Sequence, residues 1–286
     1  MHVTYLPLYA ALYLLSLLLS YIVRQVDQFI YFLLCKVLRY RYQVVLQNLS
    51  RSFPEKTYGE IKEISCAFYR HFGRMLTEII QMVSISEKQI MSRVKVLNPE
   101  LLEYYHLQHR SIIIMLGHQG NWEYLSVLPK YLSFDVHGIY KPLSNSFFNL
   151  LIKRLRTRFG LKLLPMDQAA RYMLLHKNNP QAYLFLADQA PGVQSKCQVA
   201  FMHQPTRMFT GAERLAIATD AVVIYAQFNK AAEEKQWKLS FSLLTDTPRA
   251  TAPHEITTTF GRYLEESIQQ APQYWLWTHK RWKHSH

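Results

Sequence analysis

Residues 117–123, GHQGNWE, carry the densest chemistry in a chain of 286 residues. They follow the apolar run SIIIML, which reads as a buried strand, so the chain leaves a sheet directly into His118, Asn121, Trp122 and Glu123. A neutral imidazole takes a proton from a hydroxyl near pH 7, and a carboxylate on its other nitrogen fixes the tautomer and stabilises the imidazolium. A hydroxyl activated in this way attacks an activated carbonyl. The spacing puts His118 and Glu123 at the two ends of a turn into a helix, where both can face one cleft. Gly117 and Gly120 let the backbone turn sharply and approach a substrate. Unpaired amides at the helix start can serve an oxyanion. The same residues also fit a solvated loop with Trp122 packed beneath it. One His and one Glu, with no HExxH, make too few ligands for a metal. No G-x-S-x-G elbow is present and no cysteine has a catalytic context, so the nucleophile is the substrate's own hydroxyl.

Two further clusters fall near strand ends. Asp188 and Gln189 close the run AYLFLA as LADQAPG, where the acid is either a site residue or a turn former ahead of Pro191 and Gly192. Arg156 and Arg158 precede the LKLL strand. They suit bidentate grip of phosphate or carboxylate, or, as charge alone favours, a basic helix face beside a membrane.

The elements that must position these groups alternate. Thr57 and Glu60 form a T-x-x-E capping box that opens an amphipathic helix to about Met82, after a turn region over residues 44–56. Strands follow at Ser111–Leu116 and Val136–Tyr140, and further on at GLKLLP, AYLFLA, VAF, AVVIYAQF and KLSFSLL. Helices fall at Asn121–Leu132, 145–158, Gln168–His176, from a second capping box at Thr210 and Glu213 to about Thr219, and at 254–270. This order predicts an α/β fold, a largely parallel central sheet flanked by helices, with ligands at the carboxyl ends of strands.

Thirty-three Lys and Arg against twenty Asp and Glu give a net charge of +13, which favours an anionic partner. Cys35, Cys66 and Cys197 have no paired spacing, which fits a reducing compartment. From Val3 to Val23 there is no charged residue, about the length that crosses a bilayer core or lies along its interface. Basic residues follow the run, which orients the bulk of the chain to the cytoplasmic side. QFIYFLLCKVLRYRY suits a second helix in the headgroup layer, and WLWTHKRWKHSH suits an interfacial, phosphate-rich setting with solvated histidines. No nucleic-acid-binding motif is present. The division expected is residues 1–42 as membrane anchor and interfacial helix, and 43–286 as the catalytic domain.

Taken in order, NLSRSFPEKT, LTEII, GHQGNWE, YKPLSN, RLRTRFG, LADQAPG and WTHKRWK resemble the lipid A secondary (late) acyltransferases of Gram-negative bacteria, within the lysophospholipid acyltransferase superfamily. The resemblance covers nearly the whole chain. In the glycerolipid branch the acid after His-x4 is Asp and an FPEG motif follows; here the acid is Glu123 and FPEG is absent. The resemblance implies an enzyme of the bacterial cell inner membrane with its site on the cytoplasmic side. It would move a fatty acyl chain from acyl carrier protein to a hydroxyl of a lipid A precursor, a phosphorylated glycolipid, without metal or other cofactor. It further implies His118 as general base paired with Glu123, Arg156 or Arg158 as the family's essential arginine, and Asp188 as the acid of its DQ block. Asn121 and Gln189, beside them, are expected on the substrate. VAFMHQP departs from the family's usual aromatic-Gly pair, which bears on acyl-chain or acceptor preference. The alternatives in view are acylation of another bacterial lysolipid, such as an aminoacyl lipid, and a non-catalytic membrane lipid-binding protein.

Overall fold

A computed structural model describes residues 5–191, 197–230 and 236–283. Helix α1 (Leu6–Phe32) starts with Pro7 in its first turn, where a missing amide costs nothing, and bends at Ile22, whose φ and ψ are −118° and 24°. The two N-terminal apolar segments therefore form one kinked helix, continued by a π-turn at Leu33–Val37. Among the described residues no helix is long and apolar enough to cross a membrane. Val3 and Thr4 of the apolar run lie outside those residues.

The expected turn region at 44–56 is mostly helix α2 (Tyr42–Ser52). Its polar composition hides a face on which Val45, Asn48, Leu49 and Ser52 are buried at spacings of three and four. Helix α3 (Tyr58–Gln81) has the expected capping box: Thr57 Oγ1 accepts from the Glu60 amide at 3.4 Å and Glu60 Oε2 from the Thr57 amide at 2.8 Å. It packs along α1 closely enough that a Cβ on Gly73 would sit 3.2 Å from the Tyr31 amide nitrogen.

The remaining elements are α4 (Glu87–Met91), β1 (Val94–Val96), α5 (Glu100–Leu107), β2 (Ile112–Leu116), a 3-10 segment (Trp122–Lys130), β3 (Val136–Tyr140), α6 (Ser146–Thr157), β4 (Lys162–Pro165), α7 (Met166–Leu175) and β5 (Ala182–Leu186). After them come β6 (Gln198–Phe201), β7 (Gln204–Arg207), α8 (Gly211–Thr219), β8 (Val222–Asn229), β9 (Trp237–Thr245) and α9 (Glu255–Gln270). The segment expected as a helix from Asn121 is 3-10 throughout, with Pro129 inside it lacking an amide for a regular α-helical ladder. The second capping box does not form. The Glu213 carboxylate turns inward and accepts from the backbone and hydroxyl of Thr257 on α9, leaving Thr210 without a side-chain cap.

Seven strands pair in the order β1-β9-β8-β2-β5-β3-β4, parallel except where β8 meets β9. β2 is wholly buried, as an inner parallel strand covered on both faces must be. Alternate side chains go to opposite layers: Ile112, Ile114 and Leu116 pack with Tyr124, Leu128 and Val136, whereas Ile113 and Met115 pack on the side of Phe260 and Leu264. The expected fold class is thus present, a mixed α/β fold with a mostly parallel sheet between helices.

Candidate active site

β2 and β5 run parallel with Ile112 opposite Ala182 and Leu116 opposite Leu186, and the Ala187 amide extends the ladder to the Leu116 carbonyl. Carrying the same register two residues past the strands brings His118 alongside Asp188. The His118 amide donates to Asp188 Oδ2 at 2.8 Å, and His118 Nδ1 lies 2.5 Å from Asp188 Oδ1. Asp188 Oδ2 also accepts the Trp275 indole N–H at 2.8 Å. The carboxylate is 3% exposed and the imidazole 14%. Burial by itself raises the Asp188 carboxyl, but the imidazole, the His118 amide and the indole outweigh it and hold the group at about 2. An ionised carboxylate on Nδ1 directs the lone pair of the neutral ring to Nε2. Gln189 Nε2 approaches that nitrogen at 3.3 Å, and the Trp122 ring stands edge-on to the imidazole at 5.0 Å.

The partner of His118 is therefore Asp188 and not Glu123, correcting the expected pair. Glu123 sits in the 3-10 segment and accepts a bidentate clamp from Arg156 of α6, Nε to Oε2 at 2.8 Å and Nη2 to Oε1 at 2.7 Å, with the Trp122 indole donating to Oε1 at 3.1 Å. Burial alone lowers the guanidinium, but the Glu123 charge reverses this and raises it. Proximity along the chain had favoured Glu123; the parallel register delivers Asp188 instead.

Arg156 and Arg158 also separate. α6 turns Arg156 to the site, while Arg158 donates to the Met82 carbonyl at 2.5 Å and lies over the Phe159 ring. Asn121 is fully buried and donates to Glu78 of α3 at 2.9 Å, tying the turn to the helix behind it rather than lining the cavity. Gln189 does line the cavity.

The amides ahead of the 3-10 segment are engaged internally: His118 to Asp188, Gln119 to the Gly117 carbonyl, and Gly120 to the Tyr274 carbonyl. Both glycines are required by close approach, to protein rather than substrate. A Cβ on Gly117 would sit 2.5 Å from Leu264 Cδ1, and one on Gly120, at φ +66°, would sit 2.7 Å from the Phe228 and Trp237 rings.

Sequence reasoning missed the C-terminal segment. Its aromatic and basic composition resembles a membrane interface, yet Trp275, Trp277 and Trp282 are buried with Phe53 and Phe201. Trp275 bridges Gln119 in antiparallel fashion, and the Leu276 amide donates to the His118 carbonyl at 3.1 Å. His279 is half-buried, and burial lowers it to about 4. His284 and His286 lie outside the described residues, as does Gly192 of the LADQAPG turn.

His118, Glu123, Arg156 and Gln189 border one cavity of about 940 Å³. Ile139, Ile152, Phe185, Leu186 and Phe209 make part of its wall apolar, while Lys141, Ser144, Asn149 and Lys153 line it with polar groups. With Glu123 neutralised by Arg156, the two lysines leave the lining positive.

The family model described as "Bacterial lipid A biosynthesis acyltransferase" matches residues 3–284. A Haemophilus influenzae protein described as a lipid A biosynthesis acyltransferase is 20% identical over 233 residues, which is 80% of this chain and 72% of that protein.

Proposed function

Because the chain belongs to the bacterial lipid A biosynthesis acyltransferases, we propose that it moves a fatty acyl chain from an acyl carrier protein thioester to a hydroxyl of a phosphorylated glycolipid precursor of lipid A. The observation that carries this reading is the His118 ring. A buried, ionised carboxylate holds its Nδ1 while the ring borders a large, partly apolar cavity.

In this reading His118 Nε2 takes the proton of the acceptor hydroxyl as that oxygen bonds to the thioester carbonyl carbon. Asp188 stabilises the imidazolium. The carbon–sulfur bond then breaks, and the proton passes from Nε2 to the departing thiolate, leaving an ester and a free thiol. Arg156 and Glu123 form a rigid, neutral pair in the cavity wall. Lys141 and Lys153 suit the phosphate of the acceptor, and the net charge of +13 suits an acidic carrier protein.

We further infer attachment to the cytoplasmic face of the inner membrane through α1. Leu6, Leu8, Leu14, Leu15, Leu17, Phe29 and Phe32 are exposed along it, a larger apolar run than a surface facing only water carries. The start of this helix meets α6, with Tyr5 against Phe147 and Arg154 over the Tyr9 ring. α6 also lends Asn149, Ile152, Lys153 and Arg156 to the cavity, so a lipid held along α1 lies beside the cavity's wall. Nothing in this reading calls for nucleic acid, metal or cofactor.

The test incubates purified protein with acyl carrier proteins of several chain lengths, offering a lipid A precursor and, separately, lysolipids. Transfer to the precursor, lost by about 10²- to 10⁴-fold in His118→Ala, is the expected result. Transfer that survives without His118 removes the general-base role. Acylation of lysolipids alone replaces the acceptor, and no transfer to either leaves a lipid-binding protein.

A further inference from the structure

We infer that Trp275 is a positioning residue for the proposed base: its indole N–H and the backbone of 274–276 hold Asp188 and the His118 turn in register. Three independent contacts converge. The indole donates at 2.8 Å to Oδ2, the same oxygen that takes the His118 amide, so Oδ1 is turned to Nδ1. On either side of Trp275, the Tyr274 carbonyl takes the Gly120 amide at 2.9 Å and the Leu276 amide reaches the His118 carbonyl at 3.1 Å. The ring itself is 2% exposed, held edge-on by Trp277 at 4.7 Å between centroids and by Trp282 at 6.0 Å.

A carboxylate oxygen can rotate about χ2 at little cost. In a buried site each missing donor leaves a lone pair unsatisfied and lets the group settle elsewhere. With the indole in place, both oxygens of Asp188 are engaged and only one orientation satisfies them. The charged and titratable groups around the pair are His279 and Arg281 from the same C-terminal segment and Tyr225 from β8. None of them donates a hydrogen bond to Asp188 among the described residues, so Trp275 has no understudy.

The inference rests on the acyltransferase reading only where turnover is measured. The test compares Trp275→Phe with the full chain in detergent, using benzothienylalanine at 277 as control, since it keeps the ring that packs on Trp275 and removes only an N–H that goes to the Pro272 carbonyl and not to Asp188. The downfield Nδ1–H proton of His118, assigned by its absence in His118→Ala on histidine-labelled protein, reports the contact without any substrate. In Trp275→Phe this resonance moves upfield or is lost to exchange. Turnover falls by about tenfold with the KM for acyl carrier protein thioester unchanged. Benzothienylalanine at 277 retains both. Should Trp275→Phe not fold, benzothienylalanine at 275, which puts sulfur in place of the indole N–H at the same ring size, carries the same comparison. An unmoved resonance overturns the inference, even where activity drops, because packing then explains the loss. A moved resonance with full turnover overturns it as well. If the wild-type protein transfers no acyl group, the functional reading fails while the resonance still decides the contact.

Discussion

At the scale of single residues, the site separates its two carboxylates by environment. Asp188 faces an imidazole and an indole, and Glu123 faces a guanidinium. The pairing of Glu123 with Arg156 is 6% and 24% exposed, so removing either partner strands a charge that burial penalises. Arg156→Ala should therefore lose about 3 kcal/mol of stability or more, read by urea unfolding. Adding Glu123→Gln should restore part of that loss, and strict additivity of the two would show them uncoupled. Asp188 makes a different prediction, in pH. Its folded value of about 2 lies below the ordinary 3.8. The stability it contributes is full above the ordinary value and is lost as pH falls toward 2. The gap in stability between wild type and Asp188→Asn should accordingly narrow on acidification through that window. A gap independent of pH there would mean that the carboxylate is not held ionised by its neighbours.

At the scale of elements, the turn after β2 depends on glycine where two aromatic rings leave no room. Gly120→Ala places a methyl 2.7 Å from Phe228 and Trp237 at a positive φ. It should cost about 3 kcal/mol, seen as a lowered unfolding midpoint together with lost transfer; a variant as stable as wild type would contradict the packing described. The turn was legible in the sequence because a buried strand rarely empties into His, Asn, Trp and Glu. Asp188 was legible as the end of a neighbouring strand. Their contact was not, because the register of β2 against β5 is a property of the assembled sheet and leaves no mark within either strand. α2 was hidden by its Gln, Asn, Ser and Arg. The second capping box was offered by Thr210 and Glu213, but tertiary packing recruited Glu213 to Thr257. The C-terminal tryptophans misled for a related reason: aromatic rings beside basic residues suit a lipid interface and a buried clamp equally well.

At the scale of the molecule, apolar side chains run exposed along α1, with Leu14 at 61% and Phe29 at 63%. If they meet lipid as proposed, replacing Leu14, Phe29 and Phe32 by Ser should lower partitioning onto anionic vesicles by at least about tenfold without shifting the unfolding midpoint. Equal sedimentation of both proteins with vesicles would remove α1 as the contact. The order in which the sheet closes has a further consequence, in time rather than space. β2 lies between strands that begin 70 and 110 residues later, and the indole on Asp188 comes later still. During synthesis His118 is thus exposed to solvent for roughly ten to thirty seconds before Trp275 follows it out of the ribosome. Until Asp188 follows, the nascent chain holds an imidazole without its carboxylate, and until Trp275 follows that carboxylate lacks its clamp, so acyl donor met early by the growing chain finds no assembled base.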